Sequence, residues 1–142
     1  MTKTLEVISN KSKQSLYDTV GGHEGIITLV NLFYDCVEST PEGVPLAKLH
    51  IRGHGITHAR MELVNFLSGF LGGPNLFAEK WGHSNVRHIH DHVAINQITS
   101  DSWMLCMEMA MNKQGYNTKL KARLKDAFLV IATLLINREL LN

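Results

Sequence analysis

Gly72-Gly73-Pro74, Trp81-Gly82-His83, Arg87-His88-Ile89-His90 and Trp103-Met104-Leu105-Cys106-Met107 follow one another in this order, and their reading decides the fold. Glycine accepts left-handed backbone and proline cannot continue a helix, so Gly72-Gly73-Pro74 stops the preceding helix twice over. Gly82 makes a second break. A basic residue then stands one helical turn before His90, and Trp103 opens a new helix. A histidine held on a short irregular segment between two helices can reach a metal that those helices enclose.

Working outward, the chain reads as helices punctuated by glycine and proline, with no strand alternation. Ser15 to Val20 is one short turn, stopped by Gly21-Gly22. Glu24 to Glu38 is a helix with Ile26, Val30, Phe33 and Val37 on one face. Thr40-Pro41 ends it, because a residue before proline is pushed out of helical geometry. Residues 41–55 are expected to be a loop with a single turn near Leu46 to Leu49. Ile56 to Leu71 is the next helix, carrying Leu63, Phe66, Leu67, Phe70 and Leu71 at i, i+3, i+4, i+7 and i+8. Residues 75–93 are expected to be irregular, with a short helix around residues 85–91. Thr99 or Ser100 is expected to cap a helix running through Trp103 to Asn112. Gly115 and Asn117 break it, and a last helix runs from Thr118 to about Arg138 with Leu120, Leu124, Phe128, Ile131 and Leu135 inward. The expected solution is a single all-α domain over residues 15–142, with two antiparallel helix pairs, behind a polar N-terminal extension, residues 1–14.

Composition narrows the function classes. The chain has 142 residues, enough for one domain with a buried core, and 44% of them are hydrophobic. A formal charge of +1 and the lack of any Lys/Arg run exclude a strong field for nucleic acid. No apolar run approaches the roughly 18 residues of a membrane span, and residues 1–14 lack an apolar signal-peptide core. Cys36 and Cys106 do not make a disulfide framework, and both sit inside apolar helical patterns, where buried free thiols are expected. These features fit a cytoplasmic setting with no membrane partner.

Taken with Leu16-Tyr17-Asp18, Gly21-Gly22, Phe33-Tyr34 and Phe66-Leu67, the opening motifs resemble a truncated haemoglobin of group II, the O type. The resemblance runs from about Leu16 to Arg138. No single motif carries it; the order and spacing of Gly-Gly, Phe-Tyr, Gly-Gly-Pro, Gly-His, Arg-x-x-His and Trp-x-x-Cys-Met do. It implies a two-over-two helical sandwich around haem b, with dioxygen and other diatomics as ligands.

His90 is the expected iron ligand, since a neutral imidazole suits haem iron. Arg87, one turn earlier, is placed to pair with a haem propionate; the competing reading is an ordinary solvated arginine. Leu63, Phe66 and Leu67 are expected to wall the cavity. Val93 stands near the proximal face where the family commonly has phenylalanine, and Ser84 where it commonly has proline. Tyr34 lies on the inward side of its helix, where a phenol can donate a hydrogen bond to a diatomic ligand; the competing reading is a core tyrosine bonded to a carbonyl. Trp103 has one donor, its indole N–H, which in the resembled family points into the distal pocket. Its competing reading is a core aromatic. A diatomic on ferrous iron becomes partly anionic, and a hydrogen bond to a charged acceptor contributes roughly 1.5–3 kcal/mol. Two such donors favour slow release, which suits redox chemistry or sensing better than bulk oxygen transport.

The segment from His50 to Ala59 departs from the family. His50 takes the place of a tyrosine or histidine near the distal pocket. Ile51-Arg52-Gly53-His54-Gly55 after it is about two residues longer than the family leads one to expect. Ala59 falls at the usual distal-histidine position, with His58 one residue before. His54 and His58 read as solvent-exposed loop residues or as internal sixth ligands to iron, alongside His50. The rival function is a zinc-binding helical protein using His83, His88, His90 and His92, with His88 and His92 one turn apart. The cluster has no cysteine pair beside it, and only Asp91 as a carboxylate. A globin turning over oxidants needs an electron donor. No flavin or nicotinamide motif is present, so an unidentified reductase is the expected partner, and a monomer or weak homodimer the expected state. Nitric-oxide detoxification, peroxide chemistry and oxygen delivery remain equally open.

Overall fold

The computed structural model describes residues 14–52, 55–83, 85, 90 and 93–138. Among these there is no strand, and seven α-helices and one 3-10 turn follow in order. They are α1 (Leu16–Thr19), α2 (Gly22–Ser39), a 3-10 turn (Pro41–Gly43), α3 (Val44–Arg52), α4 (Ile56–Phe70), α5 (Leu76–Trp81), α6 (Gln97–Gln114) and α7 (Thr118–Leu134). The pairs α2–α4 and α6–α7 pack as two layers, with α2 also lying against α6. This is the expected two-over-two sandwich. No helix among the described residues is long and apolar enough to cross a membrane.

The core lies between the layers and follows helical periodicity. From α2 come Ile26, Leu29, Val30, Phe33 and Val37; from α6, Cys106, Met107, Ala110 and Met111; from α7, Leu124 and Phe128. Spacings of three and four residues put each set on one stripe. Both cysteines are buried and free, as expected.

Local chemistry sets the ends. Gly21 takes a left-handed φ of 103° ahead of α2, which glycine adopts without steric cost. Beyond Ser39, Thr40 is extended and its hydroxyl accepts from the Gly43 amide at 3.3 Å. At the far end of α4, the Gly73 amide donates to the Ser68 carbonyl at 2.8 Å, and the Tyr17 amide to the Leu71 carbonyl at 2.8 Å. A Cβ on Gly73 would overlap the Tyr17 ring. The glycine pair is therefore where α1 docks as well as where α4 stops.

Four expectations are corrected. Residues 44–52 form a helix in place of a loop, because Pro45 falls in its first turn, where a missing amide costs nothing. Leu46 and Leu49 then pack inward. Leu76–Trp81 is helical where irregular chain was expected, closed by Gly82 with φ of 78°. The cap of α6 is Asn96, not Thr99 or Ser100. Its side chain accepts from the Thr99 amide at 3.1 Å while the Thr99 hydroxyl accepts from the Asn96 amide at 2.9 Å, a reciprocal capping box. The last helix ends at Leu134, before Arg138. The short helix expected around 85–91 falls largely outside the described residues, as does the N-terminal extension up to residue 13.

Candidate functional site

A cavity of about 410 Å³ lies between the layers. Tyr34 enters it from α2, His50 from α3, Leu63, Phe66 and Leu67 from α4, Trp103 from α6, and His90 and Val93 from the segment between α5 and α6. All eight were expected at the site. Ala59 and His58 also face the cavity, so His58 is not simply a loop histidine. Arg87 and His54 lie outside the described residues, as do His88 and His92, on which the zinc alternative depends. Among the described residues no three His, Cys, Asp or Glu side chains gather closely enough to hold a metal ion.

The α2–α3 side of the cavity is ordered by Tyr34 and His50. Their rings meet edge to face, 5.4 Å apart at 85°. His50 Nδ1 lies 2.8 Å from the Leu46 carbonyl, one turn back in α3. Because a carbonyl only accepts, Nδ1 carries the proton, and in the neutral ring Nε2 is then an acceptor. The Tyr34 hydroxyl, 3.4 Å from Nε2, donates to it. Burial lowers the His50 pKa, opposed by the bond to Leu46. Burial also drives the Tyr34 phenol well above its ordinary value, despite the nearby Arg60 charge. Both effects keep a neutral phenol beside a neutral imidazole.

Arg60 reinforces this wall from outside. Its guanidinium sits 5.5 Å from the Tyr34 ring centroid. It donates to the Asn31 side chain, Asp35 and Glu38 at 3.0 Å each, three residues on one outer stripe of α2. The clamp fixes α4 against α2 with Ala59 turned to the cavity. Trp103 stands between Phe33 at 5.3 Å and Phe128 at 5.6 Å. Its indole N–H makes no hydrogen bond among the described residues, so it is an available donor on the cavity wall.

Sequence reasoning missed three contributors. Glu62 accepts from Lys80 at 2.5 Å and from the Trp81 indole at 2.6 Å, joining α4 to α5 at the cavity edge. Burial alone would raise its pKa, but Lys80 and Trp81 outweigh burial and hold the carboxyl lower. Phe77 on α5 meets Phe66 edge to face at 5.8 Å and lines the cavity. Asn137 bonds to the backbone on both sides of Val93. Glu62 and Phe77 were hidden because α5 was not foreseen. No periodic signal marks Asn137.

An all-helical two-over-two sandwich enclosing an apolar cavity, lined by an imidazole from between α5 and α6 together with a phenol and an indole, has the architecture of a globin. The chain belongs to the bacterial-like globins: the model of that family matches residues 15–136, and the relatives and solved structures it resembles include group II truncated haemoglobins. It is similar to a cold-adapted truncated haemoglobin from the Antarctic marine bacterium Pseudoalteromonas haloplanktis TAC125. That likeness has 34% identity and a TM-score of 0.80, and covers 88% of this chain and 99% of that one. A group II 2-on-2 haemoglobin from Agrobacterium tumefaciens superimposes with a TM-score of 0.80 at 27% identity, covering 89% of this chain and 95% of that one. A group 2 truncated haemoglobin of Bacillus subtilis (strain 168), YjbI, is 29% identical over 122 residues, 86% of this chain and 88% of the relative.

Membership implies haem, and the cavity suits it. A flat, largely apolar macrocycle needs apolar faces, supplied here by Leu63, Phe66, Leu67, Phe77 and Ile131. Its iron needs one neutral nitrogen donor, which His90 can provide.

Proposed function

We propose that this protein holds haem b in the cavity through His90 and binds dioxygen and other diatomics on the side of Tyr34 and Trp103. The single observation that carries the reading is that His90, Tyr34 and Trp103 reach one apolar cavity from three separate segments. When bound, haem supplies a ferrous iron at which diatomic ligands coordinate. Tyr34 and Trp103 offer the hydrogen bonds, and His50 acts through Tyr34. Leu63, Phe66, Leu67 and Val93 exclude water from the faces of the ring, and Arg87 pairs with a propionate. Two donors in a dry pocket favour slow release of a partly anionic ligand. That favours a role in oxygen, nitric-oxide or peroxide chemistry over bulk transport, with electrons from a separate reductase. The working unit is one haem domain over residues 15–142, a cytoplasmic monomer or weak homodimer.

Absorbance spectroscopy of the purified protein tests this. Stoichiometric haem with an intense band near the blue edge of the visible is expected, and His90→Ala should hold haem weakly or lose it. A His90→Ala variant with full haem and an unchanged spectrum would overturn the assignment.

A further inference from the structure

His90, Val93 and Ile95 stand ahead of α6, outside the described helices. Backbone groups there need partners other than a helix ladder. Among the described residues, one side chain meets several of them. The Asn137 amide nitrogen donates to the His90 carbonyl at 3.2 Å and to the Val93 carbonyl at 3.0 Å. The Asn137 side-chain oxygen accepts from the Ile95 amide at 2.8 Å. Meanwhile the backbone amides of Asn137 and Arg138 donate to the Ile95 carbonyl at 2.8 and 3.0 Å. Both amide protons and the oxygen of one asparagine are therefore engaged by a single turn of chain. The His90 carbonyl is held twice, since the Val93 amide also donates to it at 3.1 Å. Ile95 is buried, and it lines the cavity together with His90 and Val93.

From this we infer that Asn137 is a positioning residue for His90: it staples the proximal turn to the end of α7 and so fixes where the imidazole stands relative to the cavity. The staple is a property of this chain's own residues. Asn137 lies one position beyond the segment that matches the family model. No other side chain could easily replace it. Aspartate would turn a carboxylate oxygen toward two carbonyl oxygens, alanine would remove the side-chain partner of the Val93 carbonyl and the Ile95 amide and leave the His90 carbonyl only the Val93 amide, and glutamine would carry its amide one methylene too far. The inference rests on the reading of His90 as the iron ligand, because only then does the position of the turn set the length and tilt of a bond to iron.

The haem-loaded full chain tests it, as the parent, as Asn137→Ala and as Asn137→Asp. Leu124→Ala serves as a control, a core substitution on α7 at a residue that does not line the cavity. Two properties are read: the iron–imidazole stretching band in the resonance Raman spectrum of the ferrous form, and the rate of haem transfer to an apoglobin acceptor. Either Asn137 variant should shift or broaden the band and speed haem transfer by about tenfold, the loss of one or two hydrogen bonds. Leu124→Ala should lower thermal stability without moving the band. The proposal is overturned if neither Asn137 variant moves the band, or if Leu124→Ala moves it equally. His90→Ala separates the two levels. If that variant keeps haem and spectrum, the ligand assignment fails and takes the staple's function with it. If it loses haem while the Asn137 variants match the parent, the staple alone fails.

Discussion

The Tyr34 hydroxyl donates to His50 Nε2 across 3.4 Å while the other ring nitrogen of His50 is fixed to the Leu46 carbonyl at 2.8 Å. A phenol has one proton. In this arrangement that proton faces α3 and not the open cavity. At 3.4 Å the bond is longer than the usual range, hence weak and readily exchanged for a better acceptor. On the proposed reading of Tyr34 as a donor to the ligand, His50 competes with a bound diatomic for the same proton.

The first prediction follows from that competition. His50→Phe keeps an aromatic ring against Tyr34 but removes the acceptor, freeing the phenol proton for the ligand. Stopped-flow measurement should show dioxygen release slowed severalfold. Faster release than in the parent would mean that His50 is itself the donor to the ligand.

Removing the donors should act in the opposite direction. Tyr34→Phe and Trp103→Phe each keep most of the ring volume and delete one hydrogen-bond donor, so each should speed dioxygen dissociation. The same stopped-flow assay decides this. Changes smaller than about twofold, roughly 0.4 kcal/mol, in both variants would make these residues packing groups only.

Burial of His50 predicts a pH dependence. Its folded-state pKa is lowered below the ordinary 6.5, so from 6.5 downward the unfolded chain takes up a proton that the folded chain resists. Stability is then present above pH 6.5 and falls as pH drops toward the folded value. Thermal unfolding of the carbon-monoxide form between pH 5 and 8 should show this loss, and His50→Gln should flatten its share. A parent and variant with parallel profiles would remove His50 as the cause.

Much of this was legible in the sequence, for physical reasons. Stripes such as Leu63, Phe66, Leu67 and Phe70 repeat over several turns and so announce α4. Gly72-Gly73-Pro74 permits nothing but a stop. The family resemblance carried by the motifs implies Tyr34, His90 and Trp103 around one cavity, and all three line it. The misses have a common cause in shortness. Helices α3 and α5 span only Val44–Arg52 and Leu76–Trp81, too few turns for a period to emerge against flanking proline and glycine. Tertiary burial of Leu46 and Phe77 stabilises them, and that is invisible locally. Asn137 was missed because its three partners are more than forty residues away.

Glycine positions give a stability prediction. A Cβ on Gly25 would overlap the Val20 carbonyl, and one on Gly73 the Tyr17 ring. Backbone cannot yield as a side-chain tip can, so Gly25→Ala should cost more than Gly73→Ala, both within about 1–3 kcal/mol or somewhat above. Gly82→Ala is the informative contrast. A Cβ there meets no described residue within 4 Å, but φ is 78°, so backbone strain of about 1 kcal/mol is expected. Equal destabilisation in Gly25→Ala and Gly82→Ala, measured by thermal unfolding, would show that the α1–α2 corner relaxes.

The last prediction concerns internal ligation. His50, His58 and Tyr34 all face the cavity, so any of them can compete for the sixth position of iron; His54 lies outside the described residues. His50 must first give up the hydrogen bond that its Nε2 accepts from Tyr34, a net cost of about 1 kcal/mol, and Tyr34 must ionise against burial that opposes its charge. Glycine at position 55 takes φ of 88° at the start of α4, conformational freedom that eases rearrangement and also raises the entropy of the open state. The balance predicts a mixed population, partly six-coordinate through a histidine, with dioxygen affinity reduced by the open fraction. A histidine ligand gives a low-spin ferric spectrum that weakens as the imidazole protonates, whereas a tyrosinate gives a charge-transfer band. His50→Ala should abolish the low-spin fraction, and His58→Ala should not. Purely high-spin ferric and five-coordinate ferrous spectra at neutral pH would dispose of internal ligation, and low-spin signals surviving in His50→Ala, His54→Ala and His58→Ala alike would dispose of its histidine form.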